Sequence, residues 1–187
     1  MSVARNTRER ILEAAGELLV RAGPQASMQQ IAAEAGVAIG SLYNHFASKE
    51  ALMRALYGQL AEQLDAAVTV TPGATAEARL IAYIDAYIGF FRADPGRAVL
   101  FELLSCLPLV TPAELRDYFR VSADHVARLI ADYGDEIGQP VAEPGQVAGF
   151  IGGALRNTLK WRRLRDDTLS APEIARLRAM CLAAIRA

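Results

Sequence analysis

The chain is poor in the residues that build metal and redox sites. It holds two cysteines and two histidines in 187 residues. Cys106 and Cys181 stand far apart, and neither CxxC nor Cys/His spacing occurs. No zinc site or disulfide framework is therefore expected. Both thiols read as buried groups in a reducing cytoplasm. A phosphate loop, a metal motif and a paired-carboxylate signature are also missing, so no cofactor is implied. No apolar run approaches the ~18 residues of a membrane span. Met1 opens no charged-then-apolar leader. The expectation is a soluble, cytoplasmic protein with no membrane partner. An excess of one charge is lacking too: the net charge is −1, and the first 60 residues carry six Arg or Lys against five Glu. This argues against a general polyanion binder. A role on nucleic acid must rest on where charges sit, not on their sum.

Just over half of the chain is apolar, 52%, which argues against disorder. Alanine, leucine, arginine and glutamate dominate, and β-branched runs are scarce. That composition predicts an all-α chain of about nine helices. The capping pattern of Ser/Thr followed three residues later by Glu/Gln marks helix starts at Ser27–Gln30, Thr111–Glu114 and Ser170–Glu173. The first helix is expected over 7–22, where Ile11, Ala14, Ala15, Leu18, Leu19 and Ala22 form one stripe. Gly23-Pro24 ends it. Short helices follow at 27–35 and 38–46, joined through Gly36. A fourth covers 48–68, with Ser48 as its cap. "TVTPGAT", residues 69–75, is the clear composition break of the first half and reads as a joint. Five more helices are expected at 75–93, 95–106, 112–138, 145–165 and 171–186.

The third helix has an unusual composition. Ile39, Leu42 and Phe46 share one face and are expected in a small core with Ile31, Ala32, Ala35, Val37 and the stripe of the first helix. Ser41, Asn44 and His45 share another face, and Gly40 beside them removes bulk. A solvated helix face ordinarily carries Glu, Lys and Gln, which are better helix formers than Ser, Gly, Asn and His. None of those three occurs between Val37 and Ser48. Two readings stand at this point: a solvated face, or a helix shaped to enter a groove of DNA. The short Gly-containing turn before it fits a helix-turn-helix.

"TRERILEAAGELLVRAG" followed by "IAAEAGVAIGSLYNHFASKEAL" resembles the DNA-binding segment of the TetR family of bacterial transcriptional regulators. The resemblance covers about residues 7–56. It implies an N-terminal three-helix helix-turn-helix DNA-binding domain over 1–52, with the helix at 48–68 connecting the parts. A helical effector-binding and dimerisation domain over 53–187 would complete the chain. It implies phosphate contacts from Ser27, Tyr43, His45 and Lys49, the last beside a helix N-terminus. It places Gly40, Ser41 and Asn44 nearest base edges, where an Asn can pair with adenine. Ala38 departs from the family pattern, which has Ser or Thr there, and puts one phosphate contact in doubt. For Arg5, Arg8 and Arg10, solvation and phosphate contact both remain open.

The resemblance also implies an unidentified small-molecule effector within the larger domain. Candidate pocket residues are Tyr87, Phe90, Phe101, Leu104, Tyr118, His125, Asn157 and Trp161, with His125, Asn157 and the tyrosines as polar groups on a mostly apolar ligand. A homodimer through the last two helices is implied as well. It fits their apolar faces, which include Phe150, Ile151, Ala154, Leu155, Thr158 and Leu159, then Ile174, Leu177, Met180, Cys181, Ala184 and Ile185. The basic run Arg156, Lys160, Arg162, Arg163 and Arg165 reads as a solvated helix end. The expected function is a dimeric repressor on a near-palindromic double-stranded operator. A constitutive or architectural regulator without effector is the alternative. An enzyme is not expected: Cys106 with His125 is the one nucleophile–base pair that can be assembled, and their spacing suggests no catalytic geometry.

Overall fold

A computed structural model describes residues 6–165 and 167–186, with the side chain of Arg163 excluded. Arg5, one of the arginines considered for phosphate contact, lies outside the described residues. Among the described residues there are nine α-helices and no strand: α1 (Thr7–Ala22), α2 (Met28–Glu34), α3 (Ile39–His45), α4 (Lys49–Val68), α5 (Ala76–Ala93), α6 (Gly96–Ser105), α7 (Pro112–Glu136), α8 (Pro144–Leu164) and α9 (Ala171–Ile185). Every boundary falls within two residues of the one read from the sequence. The chain divides into two compact units. One is built from the chain up to Leu60 with Val99–Leu115, the other from Ala61–Ala98 with the chain from Arg116 onward. The 69–75 break connects α4 to α5 and falls inside the second unit.

The helix starts are chemically specified. Ser27 accepts the Gln30 N–H at 3.2 Å, while its own N–H donates to Gln30 Oε1 at 2.8 Å. Thr111 and Glu114 repeat the exchange at 3.2 and 2.7 Å. At Ser170 both the N–H and the hydroxyl donate to the Glu173 carboxylate, at 2.9 and 2.6 Å. Asn6 does the same work for α1, accepting from the Glu9 N–H at 2.9 Å and donating back through its own N–H at 3.1 Å. Each exchange satisfies N–H groups that a helix start leaves without intrahelical partners. The start of α5 is closed by a residue far away in sequence. Glu136 accepts the N–H groups of Ala76 and Glu77 at 2.6 and 3.2 Å.

In the first unit α1 packs on α2 and α3, and α2 on α3. Ile11, Leu12, Leu19, Ile31, Leu42 and Leu52 are fully enclosed. Tyr57 meets Phe101 edge-on at 5.8 Å. In the second unit α8 packs against α5 and α9. Its buried residues include Tyr83, Ile84, Tyr87, Ile88 and Phe91 of α5, Ile130 and Tyr133 of α7, and Ile151, Leu155 and Leu159 of α8. Gly134 is required by close approach: a Cβ there would stand 2.7 Å from the Gln139 carbonyl oxygen, where the chain folds back after α7.

The turn between α2 and α3 sets the direction of α3. Gly36 adopts φ +63°, the left-handed region in which an L side chain is strained. Arg10 reaches across from α1 and closes this turn. Its guanidinium donates to the carbonyls of Ala35 at 2.6 Å and Gly36 at 3.1 Å. These are carbonyls a helix end leaves unsatisfied, and a cation suits that end. Arg10 therefore belongs to the scaffold. Its Cβ-to-guanidinium length is what spans α1 to the turn. Arg10→Met keeps the apolar stem and removes both hydrogen bonds. It should cost about 1–3 kcal/mol, read as a lowered thermal midpoint. An unchanged midpoint would mean that Arg10 does not hold the turn.

Candidate nucleic-acid interface

Helix α3 is only seven residues long, so its faces are assigned by what it buries. Leu42 is 0% exposed and Phe46, its C-cap, 4%. At about 100° per residue, Gly40 and Asn44 lie opposite that buried pair. Ser41 and His45 flank them on one side, Ile39 and Tyr43 on the other. The accessibilities follow this geometry. Gly40, Asn44 and His45 are exposed, Ser41 is half-buried and Tyr43 is 50% exposed. Nothing stands within 4 Å of where a Gly40 Cβ would be, so the backbone there is open to close approach.

Ile39 departs from expectation. It was placed with Leu42 and Phe46 in the core, yet it is 38% exposed. It is the first residue of α3, about one turn ahead of the enclosed Leu42 and two ahead of Phe46. Ala38 before it makes no side-chain cap bond, as its methyl group requires.

The surrounding cations are mostly engaged. Lys49, the first residue of α4, donates from Nζ to the Pro24 carbonyl at 2.5 Å, tying α4 to the 3-10 turn Gly23–Gln25. An ammonium has three donors, so this bond does not exhaust it. Arg8 lies over the Phe46 ring, 5.3 Å from its centre. Arg21 pairs with Glu34 at 3.0 Å, and Arg54 with Glu114 at 3.2 Å. Hydrogen bonds from its own backbone N–H and from Ser48 hold the Glu50 carboxyl below its ordinary range at the start of α4. Ser48 also accepts the Ala51 N–H at 3.2 Å. Ser27 is exposed at the start of α2.

The residues proposed for an effector do not all fall together. Phe101 and Leu104 belong to the first unit; Tyr87, Phe90, Tyr118, His125, Asn157 and Trp161 belong to the second. Within the second unit, Tyr87 packs between Tyr83 and Phe91, with ring centres 6.1 and 5.1 Å away. His125 lies 6.2 Å from the Tyr83 ring and shares a hydrogen bond of 3.1 Å with Thr71. Phe90 carries the Arg97 guanidinium 4.4 Å above its ring. Tyr118 is half-buried, whereas Asn157 and Trp161 are exposed on α8. Burial pushes the Tyr83 hydroxyl above its ordinary pKa. Burial, then the nearby Arg128 charge, lowers that of His125.

Two members of this cluster were missed from the sequence. Tyr83 precedes Tyr87 by one helical turn, which a spacing argument can find. Arg156 was read as part of a solvated basic end, but it is half-buried and donates to the Tyr87 hydroxyl at 2.7 Å. Its place four residues after Gly152, where the Tyr87 hydroxyl also approaches, was the available clue. Arg162 is likewise not a free surface charge, since it pairs with Asp167 and Glu173 across the α8–α9 turn. Hydrogen bonds from the Ser170 hydroxyl and N–H, reinforced by Arg162, hold Glu173 down to about 2.

Helices α8 and α9 leave a large apolar surface open. Phe150 is 65% exposed, Trp161 51%, Leu164 59% and Met180 61%, whereas Ile151, Leu155, Cys181 and Ile185 on the same helices are buried. The Cys181 thiol is pushed up to about 11 by that burial. Cys106 is exposed, contrary to the expectation of two buried thiols. It lies in the first unit and His125 in the second. Among the described residues no cluster of three or more His, Cys, Asp or Glu could hold a metal. No described helix is long and apolar enough to cross a membrane.

Similar proteins agree with this geometry. Residues 11–56 match the profile of "Bacterial regulatory proteins, tetR family". The uncharacterized HTH-type transcriptional regulator TtgW of Pseudomonas putida is 37% identical over 86 residues, covering 44% of this chain and 64% of TtgW. The match thus spans less than two thirds of that relative. The fold matches a tetR-family regulatory protein from Rhodococcus RHA1 at a TM-score of 0.81, with 23% identity over 97% of this chain and 98% of that one. It also matches FadR from Bacillus subtilis at 0.71, with 20% identity over 95% and 96%. Residues 11–56 thus carry the sequence signature of the tetR family's regulatory proteins, and the fold of the chain as a whole is similar to solved tetR-family structures.

Proposed function

We propose that the protein is a homodimeric, sequence-specific DNA-binding transcriptional regulator, a repressor that a small-molecule effector releases from a near-palindromic operator. The observation that carries this reading is the outward face of α3. Gly40, Ser41, Asn44 and His45 turn short polar side chains and open backbone away from the buried Leu42 and Phe46. Base edges in the major groove are read by such groups at close range. Ser27, Tyr43, His45 and Lys49 serve as phosphate contacts. They fix position on the duplex without reading sequence. DNA binding is assigned to residues 1–52, and effector binding and dimerisation to 53–187.

The open apolar face of α8 and α9 supports a two-fold dimer, in which Phe150, Trp161, Leu164 and Met180 lose their exposure. Soluble monomers rarely leave such contiguous patches uncovered. For the effector, Tyr87, Phe90 and His125 in the second unit combine aromatic surface with a few polar groups. A protein of the same fold, FadR from Bacillus subtilis, was crystallised in complex with stearoyl-CoA, which supports a ligand-responsive reading. The effector must bind the DNA-competent and DNA-incompetent arrangements with different affinity, since otherwise it shifts neither.

The test is selection of bound fragments from random double-stranded DNA by the full chain. It should return a near-palindrome with half-sites one or more helical turns apart, about 34 Å per turn. Failure to enrich any sequence would overturn the reading. Asn44→Ala should relax preference at one position per half-site, at ~1–3 kcal/mol. Lys49→Gln, which removes the charge and keeps a polar side chain, should weaken all sequences alike and flatten the salt dependence by about one phosphate's share. Phe150→Asp should yield folded monomers by sedimentation and lose about 10²–10⁴-fold in operator affinity. A dimer that persists would show that α8 does not form the interface.

A further inference from the structure

We infer that Ile39 is a specificity-determining residue that reads the 5-methyl group of a thymine. The inference rests on the DNA-binding reading above and extends it to a residue the polar-face argument left in the core.

Ile39 opens α3 and is 38% exposed, although it was expected to be enclosed like Leu42 and Phe46. It stands one turn before Tyr43, itself 50% exposed, so the two form an apolar flank on α3. Ser41 and His45 form the polar flank on the other side. Gly40, between Ile39 and Ser41, has nothing within 4 Å of a would-be Cβ. The backbone at Gly40 is therefore open to a partner's approach. Ala38 adds no polar group at the front of the helix. The leading end of the face is thus apolar, while its middle is polar.

Among the features that tell base pairs apart in the major groove, the thymine methyl is the apolar one, beside hydrogen-bond donors and acceptors. An exposed isoleucine has no hydrogen bond to give and matches only that group. Its β-branched side chain is also restricted at χ1. Its methyl groups therefore occupy fixed positions and can discriminate between sites. A flexible lysine in the same place would instead act as a movable charge. Asn44 and Ile39 would then read two different features of one half-site, an adenine edge and a thymine methyl.

The experiment uses the full chain and the duplex recovered by selection from random DNA. Each thymine is replaced in turn by deoxyuridine, which keeps every hydrogen bond and lacks only the methyl. The expected result is one position per half-site where the replacement weakens the unaltered protein, by roughly fourfold for one methyl group removed from water. Ile39→Ala should weaken binding to the thymine duplex by a similar factor and become indifferent to deoxyuridine at that position. Insensitivity of the unaltered protein to every replacement would overturn the inference and leave the DNA-binding reading standing. So would an Ile39→Ala variant that keeps the same sensitivity. Should Ile39→Ala misfold, Ile39→Val supplies the protein arm: removing one methylene should reduce the deoxyuridine sensitivity at that position alone, and full sensitivity retained would overturn the inference. A protein that enriches no duplex at all would overturn both readings.

Discussion

A helix of seven residues does not hold itself together in water, because its nucleation cost exceeds what so few hydrogen bonds return. Helix α3 exists because Leu42 and Phe46 are enclosed by the first unit, each contributing about 1.5–3 kcal/mol of apolar burial. That constraint does more than stabilise. Two anchors one turn apart fix the rotation of the helix about its axis and so decide which residues look outward. The Arg10 bridge to Ala35 and Gly36 fixes the entry to the helix. Rotation and entry are thereby set by buried or hydrogen-bonded groups, and the exposed residues can differ between proteins without unseating the helix.

The use of charge is economical. A chain of net charge −1 cannot rely on long-range attraction to a polyanion. Several cations of the first unit serve the fold instead: Arg10 closes a turn, Arg8 covers a ring, and Arg21 and Arg54 sit in ion pairs. Under the proposed function, affinity then leans on Lys49 with hydroxyl, imidazole and backbone N–H groups meeting phosphates, and on direct reading of base edges. Such a protein should bind poorly to arbitrary DNA, because the sequence-independent electrostatic term is small.

Local features were legible in the sequence. The capping residues Ser27, Thr111 and Ser170, the Gly23-Pro24 stop and the stripe of α1 all act over three or four residues, and the helices followed them. The polar face of α3 was legible because it uses poor helix formers. Ile39 was not, because periodicity assigns a residue to a side of a helix without saying how far along that helix the covering partner extends. Arg156 is obscured for a related reason: the run that follows it holds Lys160, Arg162, Arg163 and Arg165, while its neighbours in space are Tyr87 and Gly152. Glu136 and Arg10 act across 60 and 25 residues, where no local pattern reaches. The exposed apolar face of α8 and α9 was visible as an excess of apolar positions, but only the structure separates its enclosed members, such as Ile151, from its open ones, such as Phe150.

The two open surfaces have opposite characters. The face of α3 is small, mixed and mostly polar; the face of α8 and α9 is broad and apolar. Under the proposed function a duplex takes the first and a second copy of the chain the second. The most direct test of this division is an amide-resolved NMR titration of the ¹⁵N-labelled chain with its selected duplex. The account predicts that the largest perturbations fall on residues 39–45, Ser27 and Lys49, while the α8–α9 face does not respond to added DNA. Perturbations centred on Phe150, Trp161 and Met180, with residues 39–45 unmoved, would contradict it.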